Sequence, residues 1–172
     1  MNCDGSVFPG RAEVGVGAVF RDNTGRFVGA VGQRLSFNVP PRTAELFAIK
    51  IGLEFALEKG WSALVVECDC LEVVNLLSKE EECMSEDGVV AWEVQRLLVR
   101  FQHARIVFGP REVNRAAHMV AQHVARVEGR FCWLGVGPPW LMQVIDDDGP
   151  ITSSGRRDGW CGDSSTTLIS SV

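Results

Sequence analysis

No apolar run in this 172-residue sequence approaches the roughly 18 residues of a membrane-spanning helix, and we find no secretory signal peptide. The six cysteines form neither a CxxC pair nor a Cys/His spacing typical of zinc sites. The formal net charge of -5 gives no general attraction to nucleic acid or to an anionic membrane. We therefore expect an intracellular protein in a reducing compartment, without a membrane partner, and any contact with nucleic acid would have to come from a local basic patch or from bridging metal ions.

Composition and length indicate one globular domain. The hydrophobic fraction of 46% and the charged fraction of 23% are ordinary for a folded protein, and the chain is long enough to bury a core. Residues 150–172 are rich in Ser, Thr and Gly and lack periodicity. We predict a domain over residues 1–149 followed by a disordered tail over 150–172.

The first third of the chain predicts a β-hairpin. Val14–Arg21 alternates apolar and small residues, with Gly15 and Gly17 on one face, where glycines often mark close approach by another backbone or a ligand. The turn Asp22–Gly25 then leads into a second strand over Arg26–Arg34. Both strands are therefore expected to pair side by side.

The next stretch predicts a helix followed by a buried strand. Thr43 is a plausible N-cap, Glu45 falls in the first turn, and Gly60 stops the helix. The apolar run 63–68 then reads as a strand that ends in the acid Asp69. Catalytic and ligand-binding groups of α/β sheets gather where strands end. Two carboxylates delivered to one place indicate a divalent cation.

The remainder of the chain alternates between helices and strands. We predict a short helix over Leu71–Ser78, a helix over Val89–Phe101, a strand over Ala104–Phe108, a helix over Glu112–Val127, and a segment after residue 130 that packs back through Trp133, Trp140 and Leu141. The order indicates an α/β fold with a five-stranded mixed sheet flanked by helices. The first strand is expected to be truncated, because almost nothing precedes Asp4 and an Asp-Gly turn signal follows.

Four segments resemble motifs of type 1 ribonuclease H. They are Asn2-Cys3-Asp4-Gly5-Ser6, Thr43-Ala44-Glu45, Glu67-Cys68-Asp69 and Arg111-Glu112-x-Asn114-x-x-Ala117-His118. The Arg21-Asp22-x-x-Gly25 turn and the Trp133…Pro139-Trp140-Leu141 segment also resemble the plant ribonuclease-H-like domain associated with non-LTR retrotransposon reverse transcriptases. The resemblance covers about residues 1–149.

The resemblance implies a ribonuclease-H-like fold and hydrolysis of the RNA strand of an RNA/DNA hybrid by two-metal catalysis. In that chemistry, two ions clamp the attacking and departing oxygens. Asp4, Glu45 and Asp69 match the first three acids of the family and would bind Mg²⁺, which prefers oxygen ligands.

Further residues follow from the same resemblance. Asn114, Arg111 and Arg42 are candidates for binding the nucleic acid. His118 stands at the position of the family's fourth acid; imidazole is a poorer Mg²⁺ ligand than carboxylate, although it suits Mn²⁺. Counting back from Asn114, the position that holds a mobile histidine in the family is occupied here by Phe108. These departures leave open a catalytically impaired relic that binds nucleic acid or a protein, and three acids alone also fit a nuclease acting on DNA.

Each candidate residue also has an ordinary structural explanation. Asp4 fits a turn, Glu45 a favourable first-turn acid, and Asp69 a cap for the helix that follows. His118 fits a boundary position of its helix, and the arginines fit solvated helix ends. Cys68 and Cys70 would point away from Asp69 and pack, and Trp61, Trp92, Trp133 and Trp140 would lie in the core.

Overall fold

The computed structural model describes residues 1–8, 10, 13–78, 86–147 and 167–168. The elements are β1 (Asn2–Val7), β2 (Val14–Arg21), β3 (Phe27–Leu35), α1 (Pro41–Glu58), β4 (Ala63–Cys68), α2 (Leu71–Leu77), α3 (Glu86–Leu98), β5 (His103–Phe108), a 3-10 turn (Arg111–Val113), α4 (Arg115–Val124), β6 (Arg130–Leu134), α5 (Pro139–Asp147) and β7 (Thr167–Leu168). Among the described residues, no helix combines the length and the apolar character needed to cross a lipid bilayer.

One mixed sheet organises the domain, in the order β6-β3-β2-β1-β4-β5 with the two-residue β7 beyond β5. The strands β1, β2, β3 and β6 pair antiparallel, whereas β4 pairs parallel with β1 and β5. The predicted α/β fold with a flanked mixed sheet is confirmed. The predicted count of five strands was too low, because β6 pairs with the free edge of β3.

The sequence analysis predicts a disordered tail over residues 150–172. Within this segment the structure describes β7, which pairs with β5, and the rest of the predicted tail lies outside the described residues.

Strand β1 differs from the sequence-based prediction. Asp4 lies in the middle of a six-residue strand, and all six positions pair with β2, with Asp4 opposite Gly17. The expected turn at Gly5 was therefore wrong, because the strand continues through Gly5 to Val7. Hydrogen bonding to β2 outweighed the local turn propensity of Asp-Gly, so the Asp4 backbone is fixed within the sheet.

The glycines of β2 allow a helix to pack directly on the sheet. A β-carbon at Gly15 would lie 1.9 Å from the carbonyl oxygen of Ala121 in α4, and one at Gly17 would lie 2.8 Å from Val120. The predicted close approach by another backbone is confirmed. The opposite face of β2 presents Val14, Val16, Ala18 and Phe20 to the larger core, beneath α1, α2 and α3.

Helix α1 begins at Pro41, two residues before the predicted N-cap, with Pro40 in the cap position. Glu45 therefore falls in the second turn, beyond the first-turn amides that an acidic side chain would stabilise, so the helix dipole does not explain it. The side chain of Thr43 instead hydrogen-bonds Asp87 of α3. The helix ends as predicted, with Gly60 at a φ of 72°.

Two other elements also differ from the prediction. Helix α3 spans Glu86–Leu98, so it starts earlier than expected. Its Trp92 is 53% exposed with the Arg96 guanidinium over the ring, and its assignment to the core was wrong. The predicted helix over Glu112–Val127 divides into a 3-10 turn and α4 at Asn114, whose side chain bonds to β1.

Candidate active site

The parallel pairing of β1 with β4 brings two aspartates to the same level of the sheet. Asn2 is in register with Glu67, and Asp4 and Asp69 each lie two residues further along. Asp4 is buried, and Asp69 is half-buried just beyond the end of β4. The register therefore gathers these two acids, as the sequence analysis expected, at the edge where β4 ends.

Helix α1 adds the third acid because it crosses β1 at a glycine. A β-carbon at Gly5 would lie 2.5 Å from the backbone carbon of Ala44, so a larger residue would push the helix away. The next residue, Glu45, is buried. It accepts a hydrogen bond from the backbone N–H of Gly5, while its Oε2 has no hydrogen-bond partner among the described residues.

Burial and mutual repulsion make this cluster unfavourable in its fully ionised form. Burial, with the neighbouring Cys68, Asp4 and Asp69 acting in the same direction, raises the pKa of Glu45 to about 10. Burial also raises the pKa of Asp69, with Asp4 adding to the effect. The raised pKa values mean that Glu45 and Asp69 are less readily ionised than ordinary acids. A bound cation would stabilise their ionised forms.

The donor set fits a divalent cation. Glu45, Cys68 and Asp69 each present one ligand atom, and these atoms lie within 4.8 Å of one another. The buried, unpartnered Oε2 of Glu45 is the observation that a bound ion would explain, since a buried carboxylate oxygen without a partner is unfavourable. Carboxylate oxygens suit Mg²⁺ and Mn²⁺.

His118 lies in direct contact with the first acid. Its Nδ1 is 3.0 Å from Asp4 Oδ2, the oxygen that also accepts a hydrogen bond from Ser6 Oγ at 3.3 Å. Its Nε2 is 2.9 Å from the Nε2 of Gln122, one turn further along α4. The Gln122 amide donates, so the ring nitrogen facing it accepts and the neutral ring donates its Nδ1–H to Asp4. The bond to Asp4 raises the pKa of His118 against the opposing effect of burial.

Asn114 joins the start of α4 to the two strands. Its Nδ2 donates to the carbonyl oxygen of Cys3 at 2.7 Å, and its side chain also hydrogen-bonds Asp69, which favours the ionised form of that acid. Its Oδ1 has no partner among the residues described. The exposed Arg111 lies near enough for its charge to oppose the raised pKa of Asp69. Both residues border the acids.

The structure places Arg42 at a different contact. Its Nε donates to Asp87 Oδ2 at 2.6 Å, and its Nη1 lies 3.8 Å from Glu72 Oε2. These contacts join the start of α1 to α2 and α3 rather than to the three acids.

Phe108 is 39% exposed and lies in register with Cys68 on the neighbouring strand. The family resemblance leads one to expect a histidine at this position, and the side chain here is an apolar ring instead.

Sequence reasoning missed three neighbours of the acids. Ser6 follows Asp4 by two residues and therefore shares its face of the strand, a signal that was available once β1 was recognised as a full strand. Gln122 lies one helical turn from His118, a spacing that also predicts contact. Cys68 was expected to point away from Asp69, yet its Sγ lies within 4.8 Å of an Asp69 carboxylate oxygen because Asp69 is already outside the strand.

Comparison with known proteins assigns this chain to a family. A profile described as reverse transcriptase-like matches residues 2–124. The chain belongs to that ribonuclease-H-like family. No curated protein matches its sequence.

Solved structures agree with this family in fold. Ribonuclease H1 from the halophilic archaeon Halobacterium salinarum superposes with a TM-score of 0.67 at 22% identity, over 73% of this chain and 95% of that one. The N-terminal ribonuclease H domain of a Mycobacterium tuberculosis protein, solved as a fusion with maltose-binding protein, gives 0.64 at 21% identity, over 72% and 90%. At these identities the likeness establishes the shared fold.

Proposed function

We propose that this family member is a metal-dependent endoribonuclease that hydrolyses the RNA strand of RNA/DNA hybrids. The observation that carries the proposal is the unpartnered, buried Oε2 of Glu45 beside Asp4 and Asp69. No hydrogen bond from the part of the chain that the structure describes satisfies that oxygen, whereas Mg²⁺ or Mn²⁺ would. The proposal agrees with the ribonuclease H1 described above, and it would make the nucleic acid the partner and the divalent cation the cofactor.

In this proposal the residues of the site have different roles. Asp4, Glu45 and Asp69 would hold the cation, which supplies activation of a water and charge neutralisation at the scissile phosphate. His118 orients Asp4 through the 3.0 Å contact to Oδ2. Arg111, exposed beside Asp69, adds a positive charge that attracts the phosphate backbone of a substrate.

The same residues would exchange protons with the solvent when the ion enters. Glu45 binds a proton in the free protein because its pKa is about 10, and this proton must leave before the carboxylate can act as a ligand. Asn114 favours the ionised form of Asp69, so Asp69 is better prepared than Glu45 to bind a cation. We therefore expect cation binding to strengthen as the pH rises through the neutral range.

The test is cleavage of an RNA/DNA hybrid labelled on its RNA strand, with Mg²⁺ and separately with Mn²⁺. Duplex DNA and duplex RNA of the same sequence serve as comparison substrates. The proposal predicts cleavage of the RNA strand in the hybrid alone, and loss of that cleavage in Asp69→Asn, which retains the shape of the side chain. Cleavage of duplex DNA at an equal rate, or undiminished activity in Asp69→Asn, would refute it.

One observation favours a second candidate, a domain that binds nucleic acid without cutting it. His118 stands at the position where the family resemblance predicts a fourth acid, and its Nδ1 contacts Asp4 Oδ2. The substitution His118→Asp separates the two proposals. If the wild type binds the hybrid without cutting it and His118→Asp cuts it, the scaffold is a binding domain whose catalysis was lost at this position. Equal cleavage by both proteins would exclude that candidate.

A further inference from the structure

We propose that Cys68 makes the acid cluster a site for thiol-seeking divalent cations, of which Zn²⁺ and Cd²⁺ are the probes, and that such an ion displaces Mg²⁺. The inference rests on the cation site of the proposed function and adds a selectivity to it. Glu45, Cys68 and Asp69 are the proposed ligands, because their ligand atoms lie within 4.8 Å of one another.

The position of Cys68 differs from that of an ordinary packed cysteine. It is the last residue of β4 and has no exposed surface, but its sulfur faces the two carboxylates rather than apolar side chains alone. Glu45, itself 9% exposed, contributes a carboxylate oxygen to the same cluster, and its Oε2 has no hydrogen-bond partner among the described residues. Asp69 is half-buried, so an ion can enter from its side.

Two contacts with Cys70 hold the Cys68 sulfur at the end of β4. The backbone N–H of Cys70 donates to Cys68 Sγ at 3.4 Å, and the Cys68 thiol lies 3.9 Å from the carbonyl oxygen of Cys70. Thiolate is the form of cysteine that ligates a metal, so the thiol proton would pass to the solvent when the ion binds.

Ligand chemistry then determines which ion is preferred. Mg²⁺ takes oxygen ligands and gains little from sulfur, whereas Zn²⁺ and Cd²⁺ favour thiolate. Tetrahedral Zn²⁺ holds its oxygen and sulfur ligands about 3.6 Å apart, so the two carboxylates would move inward by about 1 Å from their present spread. Because Glu45 and Asp69 are shared, a bound zinc or cadmium ion would compete with Mg²⁺ at these carboxylates.

Cadmium provides a direct readout that does not depend on catalysis. Cd²⁺ bound to a thiolate shows ultraviolet charge-transfer absorption, which is titrated in the metal-free full chain. We expect Cys68→Ser to lose the tightest phase of this signal and to weaken Zn²⁺ binding, measured by calorimetry, by at least about tenfold. The matched control is Cys70→Ser, which removes a neighbouring thiol outside the cluster and should retain both signals.

A second variant tests the shared site even if Cys68→Ser fails to fold. Asp69→Asn retains every thiol and lies at the half-buried rim, and it should also weaken the cadmium signal. A signal unchanged in Cys68→Ser or in Asp69→Asn would overturn the proposal, since the ion would then bind to other thiols. Cadmium binding without hybrid cleavage would contradict the proposed nuclease alone, whereas cleavage with cadmium binding insensitive to Cys68→Ser would contradict this inference alone.

Discussion

The pKa of Glu45 predicts an unusual dependence of stability on pH. In the unfolded chain this carboxyl titrates near its ordinary value of 4.5, whereas in the folded protein burial raises its pKa to about 10. Between those values the folded state binds one proton more than the unfolded state does. The free energy of unfolding therefore falls as the pH rises, opposite to the usual contribution of a paired acid.

The slope follows from the proton count. One proton corresponds to about 1.4 kcal/mol per pH unit, so Glu45 alone removes about 2.7 kcal/mol between about pH 5.5 and about pH 7.5. For a domain of this size that loss lowers the melting temperature by roughly 5–11 °C. Asp69 and His118 also have raised pKa values and therefore contribute in the same direction. The contribution of Glu45 is consequently the difference between the wild type and Glu45→Gln.

The assay is thermal and urea unfolding across this pH range, in the presence of a chelator. Glu45→Gln should show a shallower slope and should exceed the wild type in stability at the upper end of the range. The matched control is Glu54→Gln, a glutamate of α1 outside the acid cluster. Added Mg²⁺ should flatten the wild-type slope, since the ion favours the ionised acids. Equal slopes in the wild type and Glu45→Gln would refute the reasoning.

Two further predictions concern packing. Gly15→Ala places a β-carbon 1.9 Å from the Ala121 carbonyl oxygen and should destabilise the protein by about 3 kcal/mol or more in urea unfolding; a loss below about 1 kcal/mol would show that α4 moves easily. Asp87→Ala removes one hydrogen-bond partner of Arg42 and one of the buried Thr43, and it should lower the free energy of unfolding by about 1–3 kcal/mol, with Asp87→Asn less harmful; an unchanged stability in Asp87→Ala would show that this contact between α1 and α3 contributes nothing.

The parts of the fold that follow a strong period were predictable from the sequence. The hairpin of β2 and β3 and the glycine face of β2 follow the two-residue alternation, and the end of α1 follows Gly60. The strand β1 was not predictable in the same way. Its Asp-Gly pair favours a turn locally, and only pairing with β2 and β4 makes it a strand.

The site could be predicted as a set of residues but not as a set of contacts. The resemblance to type 1 ribonuclease H indicates Asp4, Glu45 and Asp69 as a set, whereas the local pattern identifies only the helix that carries Glu45 and the strand that precedes Asp69. The role of Arg42 depends on Asp87, whose position is fixed by where α3 packs against α1 rather than by any local pattern. The approach of Cys68 to the acids depends likewise on where β4 ends.

The most direct test of the account compares hybrid cleavage by the wild type and by Glu45→Gln over a range of Mg²⁺ concentrations. The account predicts Mg²⁺-dependent cleavage of the RNA strand by the wild type, and for Glu45→Gln a rate lower by at least about a hundredfold that excess Mg²⁺ does not restore, since one ligand of the cation is missing. Equal Mg²⁺-dependent cleavage by the two proteins would show that the buried Glu45 carboxylate is not part of the catalytic site.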